Sequence, residues 1–250
     1  MKVSLFVTCL VDQLWSNIGT SCVAVLRRAG CDVEFDDRQT CCGQPAFNTG
    51  YRDEARQVAQ RFIEVFEQST AGAIVSPSGS CVAMVHHFSE LFSEDPQWRE
   101  RAQAVAARTH ELSSFLIRVL KVDDVGASWQ GRLTWHDACH GLRDLNIKTE
   151  PRSLIRKVRG AELIELENAE SCCGFGGTFS VKYPEISLAI LDQKIEAIER
   201  SGVNAVVSGD ASCLMQIGGR LSRKGSKVQV MHLAELLAAR DKTDKNGKAG

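Results

Sequence analysis

Thr40-Cys41-Cys42-Gly43-Gln44-Pro45 sets two adjacent cysteines before a glycine, and the same unit returns as Ser171-Cys172-Cys173-Gly174-Phe175-Gly176-Gly177. Outward from each pair, one further cysteine stands at a matched distance on either side. Cys9 precedes Cys41 by 32 positions and Cys139 precedes Cys172 by 33, while Cys81 follows Cys42 by 39 and Cys213 follows Cys173 by 40. Eight of the ten cysteines thus belong to two copies of one unit, and the fold has to accommodate that repeat before anything else.

Between the cysteines, the hydrophobic pattern alternates short apolar runs with amphipathic stretches. In the first copy it predicts strands at 3–8, 33–35 and 73–75. Helices are expected up to Gly30, over 52–68, after Cys81, over 98–108 and over 111–120. In the second copy strands are predicted at 133–135, 161–166, 205–207 and 228–231, with helices at 151–159, at 184–200 and from His232 onward. Glycines and a serine in 125–131 read as a linker. The division is therefore a first cysteine-rich repeat over 1–125, a second over 132–240 and a polar, disordered tail over 241–250. The fold class is α/β, with two pseudo-symmetric repeats and mainly parallel sheets. All eight repeat cysteines follow strands, so they are expected at the carboxyl edges, where loops converge to make sites.

The chain has 250 residues, a formal net charge of −1, 44% hydrophobic and 24% charged residues. A chain of that length buries roughly 70–75% of its unfolded surface without help from disulfides or metal, so the cysteines need another explanation. With no export signal read at the start, where the uncharged run 3–11 fits a strand better, the compartment expected is the reducing cytosol. There, clustered thiols bind metal or react rather than cross-link. No segment reaches the ~20 apolar residues of a membrane helix. The balanced charge argues against nucleic-acid binding. Arg152, Arg156, Lys157 and Arg159 read as a solvated basic helix face, and Arg220, Arg223, Lys224 and Lys227 as a basic corner.

Four converging thiolates suit an iron–sulfur cluster or a tetrahedral zinc ion. Adjacent cysteines point in different directions and reach two metal atoms of a cluster more naturally than one ion. The expected metal ligands are Cys9, Cys41, Cys42 and Cys81 in one set and Cys139, Cys172, Cys173 and Cys213 in the other. Gly43, Gly174, Gly176 and Gly177 would let backbone approach the bulky inorganic group and offer it N–H donors. His136 and His140, which flank Cys139, are the candidate proton-handling groups. Cys22 and Cys31, outside the repeat, read as small core hydrophobes. Two other readings stay open: structural zinc in a scaffold module, and a metal-free thiol–disulfide switch.

The doubled unit resembles the cysteine-rich domains of heterodisulfide reductase and of the iron–sulfur subunits of glycolate oxidase and anaerobic glycerol-3-phosphate dehydrogenase. Four blocks, TCCGQPAFNTGY (40–51), HDACHGLR (136–143), CCGFGGTFSV (172–181) and GDASCLMQIG (209–218), are similar to the lactate utilisation protein A family. That resemblance implies a cytoplasmic iron–sulfur electron-transfer subunit of a multi-protein system oxidising L-lactate to pyruvate. It implies [4Fe-4S] clusters, one or two per chain, partner proteins B and C, and a quinone-linked electron acceptor. One departure is plain. Where the heterodisulfide reductase relatives carry a fifth cysteine per motif, this chain has Ser78 and Asp210, which leaves cluster type, and zinc at one site, open.

Overall fold

The apolar amino-terminal run forms β1 (Lys2–Leu5), and the computed structural model describes residues 1–240; the tail expected at 241–250 lies outside the described residues. β1 pairs in parallel with β2 (Asp32–Glu34) and β3 (Ala73–Ser76), and β3 pairs in parallel with β4 (Thr109–Glu111), giving the order β2-β1-β3-β4. The second sheet repeats this with β5 (Ser128–Trp135), β6 (Arg159–Leu163), β7 (Ala205–Ser208) and β8 (Gln229–His232), in the order β6-β5-β7-β8. Every described strand pairing is parallel. The central strands Ala73–Ser76 and Ala205–Ser208 are buried at every residue, which is why they read as short unbroken apolar runs rather than as alternating ones.

Three expectations are corrected. The segment 125–131 is not a linker throughout, because β5 begins at Ser128 and a register shift between Ser128 and Gly131 lets its small residues pair with β6. β4 went unread because it is three residues long and all three are polar. The helix expected over 151–159 is Thr149–Arg156, with Arg159 opening β6. Its face is not uniformly solvated either. Arg152 is buried, donating to both carboxylate oxygens of the fully buried Asp137 (2.8 and 2.7 Å) and to Glu165. A guanidinium tolerates burial only when paired in this way.

The halves are joined by reciprocal exchange. The helix after β8 (Leu233–Ala238) packs on Ser16–Arg28, the helix between β1 and β2, while the helical turn after β4 (Leu112–Ser114) packs on Thr149–Arg156, the helix between β5 and β6. Arg28 caps the first contact, donating to the Leu237 and Ala238 carbonyls (3.1 and 2.7 Å), and Arg118 ties the second to Glu150 (2.7 Å). One hydrophobic core accordingly contains Val3, Leu5, Cys22 and Phe115 together with Leu133, Trp135, Leu154 and Leu233. Cys22 and Cys31 both sit in it. Because that core is continuous, Leu133→Ala should cost about 2–5 kcal/mol and shift a single urea transition; two separated transitions would show that the halves unfold independently.

His232 locks the join. Its Nδ1 accepts the Ala234 N–H (3.0 Å) and its Nε2 lies 2.8 Å from the Pro77 carbonyl of the other half, a pairing that the neutral Nε2–H tautomer satisfies. Complete burial pushes its pKa down to about 4. The unfolded chain therefore binds this proton first as pH falls below the ordinary histidine value, and the stability present above about pH 6.5 is lost toward pH 4. Between pH 7.5 and 5 the loss from this group should be about 2 kcal/mol. Urea unfolding of wild type and His232→Gln at both pH values checks it, since the pH-dependent part should shrink in the variant.

Candidate metal centre

Each cysteine is delivered by the same device in both halves. Cys9 and Cys139 open short helices, Cys9–Leu14 and Cys139–Arg143, just past the carboxyl ends of β1 and β5. Cys81 and Cys213 lie in the first turns of Gly79–His86 and Ala211–Arg223, which follow β3 and β7. The adjacent pairs sit in the turns that lead toward Gln44–Thr49 and Phe179–Lys182. In those turns Gly43 and Gly174 both hold φ +81°, and their N–H groups donate back to the sulfurs of Cys41 (3.4 Å) and Cys172 (3.3 Å). A β-carbon at Gly174 would meet the Ser187 carbonyl oxygen at 2.4 Å, whereas at Gly43 the nearest atoms, on Val58, are 3.4 Å away.

The thiols converge. Cys9 and Cys41 Sγ are 3.6 Å apart, and Cys173 and Cys213 Sγ 3.1 Å apart. All eight repeat cysteines are free, none in a disulfide. Hydrogen bonds from Cys42 and Cys9, with help from the Gly43 N–H, pull the Cys41 thiol down to about 3. Cys172 is pulled down to about 2 by Cys139 and Cys173, with the Gly174 N–H adding to it. Their neighbours Cys9, Cys42, Cys139 and Cys173 are pushed up by the same contacts and by burial. In the second half Cys213 is drawn down as well, to about 6, first by its contact with Cys173, so that protons are shared across each set of thiols.

Two sets of four were expected, one per half, and all eight thiols line a single cavity of about 560 Å³. The carboxyl edges of the two sheets face each other across it, and Gly176, Gly177 and His140 lie on its wall. Gly43 and Gly174 act behind the wall, through their N–H···S contacts. Asp210 and Ser78 also reach the cavity but are otherwise engaged. Ser78 Oγ accepts the Cys81 N–H of its own helix (3.3 Å), while Asp210 accepts the Ser80 N–H of the opposite half (2.8 Å) and the Ser212 hydroxyl (2.8 Å). Asp210 thus caps a helix that is not its own.

The two candidate histidines part company. His140 is half-exposed and bonded to Asp144 through Nδ1 (2.6 Å). His136 is completely buried with neither ring nitrogen hydrogen-bonded, and a ring nitrogen and the sulfurs of Cys173 and Cys213 lie within 4.8 Å of one another. Leaving such a group unpartnered costs about 1–3 kcal/mol, a cost that a bound group accepting a hydrogen bond from it would remove. Lys194 was missed. It is fully buried on the long helix Pro184–Ser201, and its Nζ donates to the Asn168 and Ala169 carbonyls (3.2 and 2.9 Å), holding the loop that leads into Cys172-Cys173. The signal was present, because Lys194 stands on the apolar stripe Leu191, Ile195, Ile198.

The CCG cysteine-rich domain family matches residues 3–86 and 133–218. Lactate utilization protein A of Halalkalibacterium halodurans is 49% identical over 243 residues, 97% of this chain and 99% of that protein. The protein of that name from Bacillus subtilis is 47% identical over 240 residues, 96% of this chain and 100% of that one. Among solved structures, a hypothetical protein from Helicobacter pylori shares the fold with a TM-score of 0.64 at 9% identity, over 97% of this chain and 50% of that one.

Gly174→Ala should distort the second turn, because positive φ and the Ser187 carbonyl both oppose a β-carbon, at a cost of roughly 2–3 kcal/mol. Gly43→Ala, with the same φ but more room, should cost less. Paired urea titrations of the two variants measure the difference, and equal losses would mean that the Ser187 contact is immaterial.

Proposed function

Because this chain belongs to the lactate utilization protein A family of CCG cysteine-rich domain proteins, we propose that it serves lactate utilization as an iron–sulfur electron-transfer subunit. The observation that carries this reading is the convergence of eight free thiols, in two sets of four, on one cavity between two sheet edges. The donor chemistry fits. Thiolates are the usual ligands of such clusters, adjacent cysteines suit a polynuclear core, and the buried, unpartnered His136 supplies one set with a polar neighbour.

Cys9, Cys41, Cys42 and Cys81 would hold one group and Cys139, Cys172, Cys173 and Cys213 the other, the halves 1–125 and 132–240 each acting as one unit. When bound, such a group supplies one-electron redox chemistry of the [4Fe-4S] kind. The chain's own residues supply the rest. Gly43 and Gly174 stabilise thiolate through backbone donors, and Asp210 and His232 keep the two sheet edges opposed. His140, set at the cavity wall against Asp144, is the group able to pass a proton to solvent. We read the chain as an oxidoreductase subunit that shares the substrate chemistry with its partner proteins rather than as a complete enzyme. Lactate utilization proteins B and C and a quinone-linked acceptor are its proposed partners, in the cytoplasm. No helix among the described residues is long and apolar enough to cross a membrane.

Zinc in one half is a second reading, and it has an observation of its own. The Cys9–Cys41 separation of 3.6 Å is close to the ~3.8 Å edge of a thiolate tetrahedron around one ion. Metal content decides between them. Protein purified without oxygen should contain iron and matching acid-labile sulfide and bleach with dithionite, and Cys42→Ser and Cys173→Ser should each remove about half of the iron. Colourless protein carrying only zinc would refute electron transfer, and zinc in one half alone would leave one serine variant with its iron unchanged.

A further inference from the structure

The cysteines of the two halves match, but the residues beneath them do not. The Phe6 N–H donates to Val75 O (2.9 Å) as the His136 N–H donates to Val207 O (2.8 Å), and each of these residues stands three positions before the first cysteine of its half. On the long helix after each pair, Tyr51 and Tyr183 stand at the N-cap, and eleven residues further on come Phe62 and Lys194. Phe6 corresponds to His136, therefore, and Phe62 to Lys194. All four are fully buried. In the first half the pair is an edge-to-face aromatic contact with centroids 4.8 Å apart, packed against Cys42 and Cys81. In the second half the same two places hold an imidazole with both nitrogens unpartnered and an ammonium bonded to two carbonyls.

We propose that the two thiol sites are electrostatically unlike, and that His136 and Lys194 give the second-half site the higher reduction potential, so that it is reduced first. The inference rests on the iron–sulfur reading above. Reduction adds one negative charge to the bound group. A buried ammonium, held by the Asn168 and Ala169 carbonyls on the loop that leads into Cys172-Cys173 although burial pulls its pKa down, stabilises that added charge in a medium of low dielectric. An imidazole N–H directed at cluster sulfur acts in the same sense. Phe6 and Phe62 can do neither. The other charges nearby do not cancel the effect. Arg152 neutralises the Asp137 carboxylate through two hydrogen bonds, Glu165 is half-exposed, and Asp210, the acidic neighbour of Cys213, has its carboxylate held by the Ser80 N–H and the Ser212 hydroxyl. His136 and Lys194 are positioning residues, acting on the bound group through field and hydrogen bonding.

The test is a redox titration of the anaerobically purified full chain with dithionite, followed by visible absorbance and electron paramagnetic resonance. Wild type should reduce in two separated steps, the higher one missing in Cys173→Ser and the lower one missing in Cys42→Ser. Lys194→Met and His136→Phe, which place apolar groups where the first half has phenylalanine, should lower the first step toward the second at unchanged iron content. A role confined to holding the loop in place would instead change iron content and leave the potential of the remaining clusters alone. A single unresolved step in iron-loaded wild type, or the higher step persisting in Cys173→Ser, would overturn the inference while leaving the iron–sulfur reading intact. This wild-type comparison stands even if the Lys194 or His136 variant fails to fold. Colourless protein unresponsive to dithionite would remove both.

Discussion

The structure depends on one constraint, the opposition of two parallel sheets at their carboxyl edges. A parallel sheet gathers the loops after its strands at one edge, and here two such edges meet. They are held there by contacts that cross the join in both directions: Asp210 on the Ser80 N–H, His232 on the Pro77 carbonyl, and the exchanged helices after β4 and β8. Each of these contacts is buried or backed by the shared core. Parting the edges would therefore expose apolar surface and strand several polar groups at once.

From that opposition follows the character of the site. Four thiols at one sheet edge would form an open half-shell, accessible to water and to oxidants. Facing a second set, they become the walls of one shared cavity, and the positive-φ turns at Gly43 and Gly174 bring backbone donors to the sulfurs from behind. The positions where relatives of the heterodisulfide reductase type carry a fifth cysteine hold Ser78 and Asp210, and both serve helix capping. Asp210 belongs structurally to the half it is not part of, which makes assembly of the site and joining of the halves one event.

The repeat is faithful in its backbone and cysteines and unfaithful beneath them. Sheet order, N-cap tyrosines and the φ of Gly43 and Gly174 agree between the halves. The substitution of His136 and Lys194 for Phe6 and Phe62 does not disturb them, since all four side chains fill buried positions of similar size. A packed position can thus change its electrostatics without changing the fold around it, provided the polar replacement finds partners. Lys194 finds two carbonyls within the chain, and His136 faces the thiols.

The sequence by itself determined the repeat, the α/β class, the parallel strands and the eight thiols at strand ends, because each is written in local signals: cysteine spacing, apolar runs and helical periodicity. Cys22 and Cys31 were legible as core for the same reason. Tertiary structure alone decided that both thiol sets share one cavity, because the facing of two sheets depends on contacts between residues 130 or more apart, such as Ser80 with Asp210 and Pro77 with His232. It also decided that Arg152 is buried rather than solvated, since its partner Asp137 is supplied by another element. Lys194 was visible as a charge on an apolar stripe, but only the fold shows that it lies under the second thiol set, in the place that phenylalanine holds under the first.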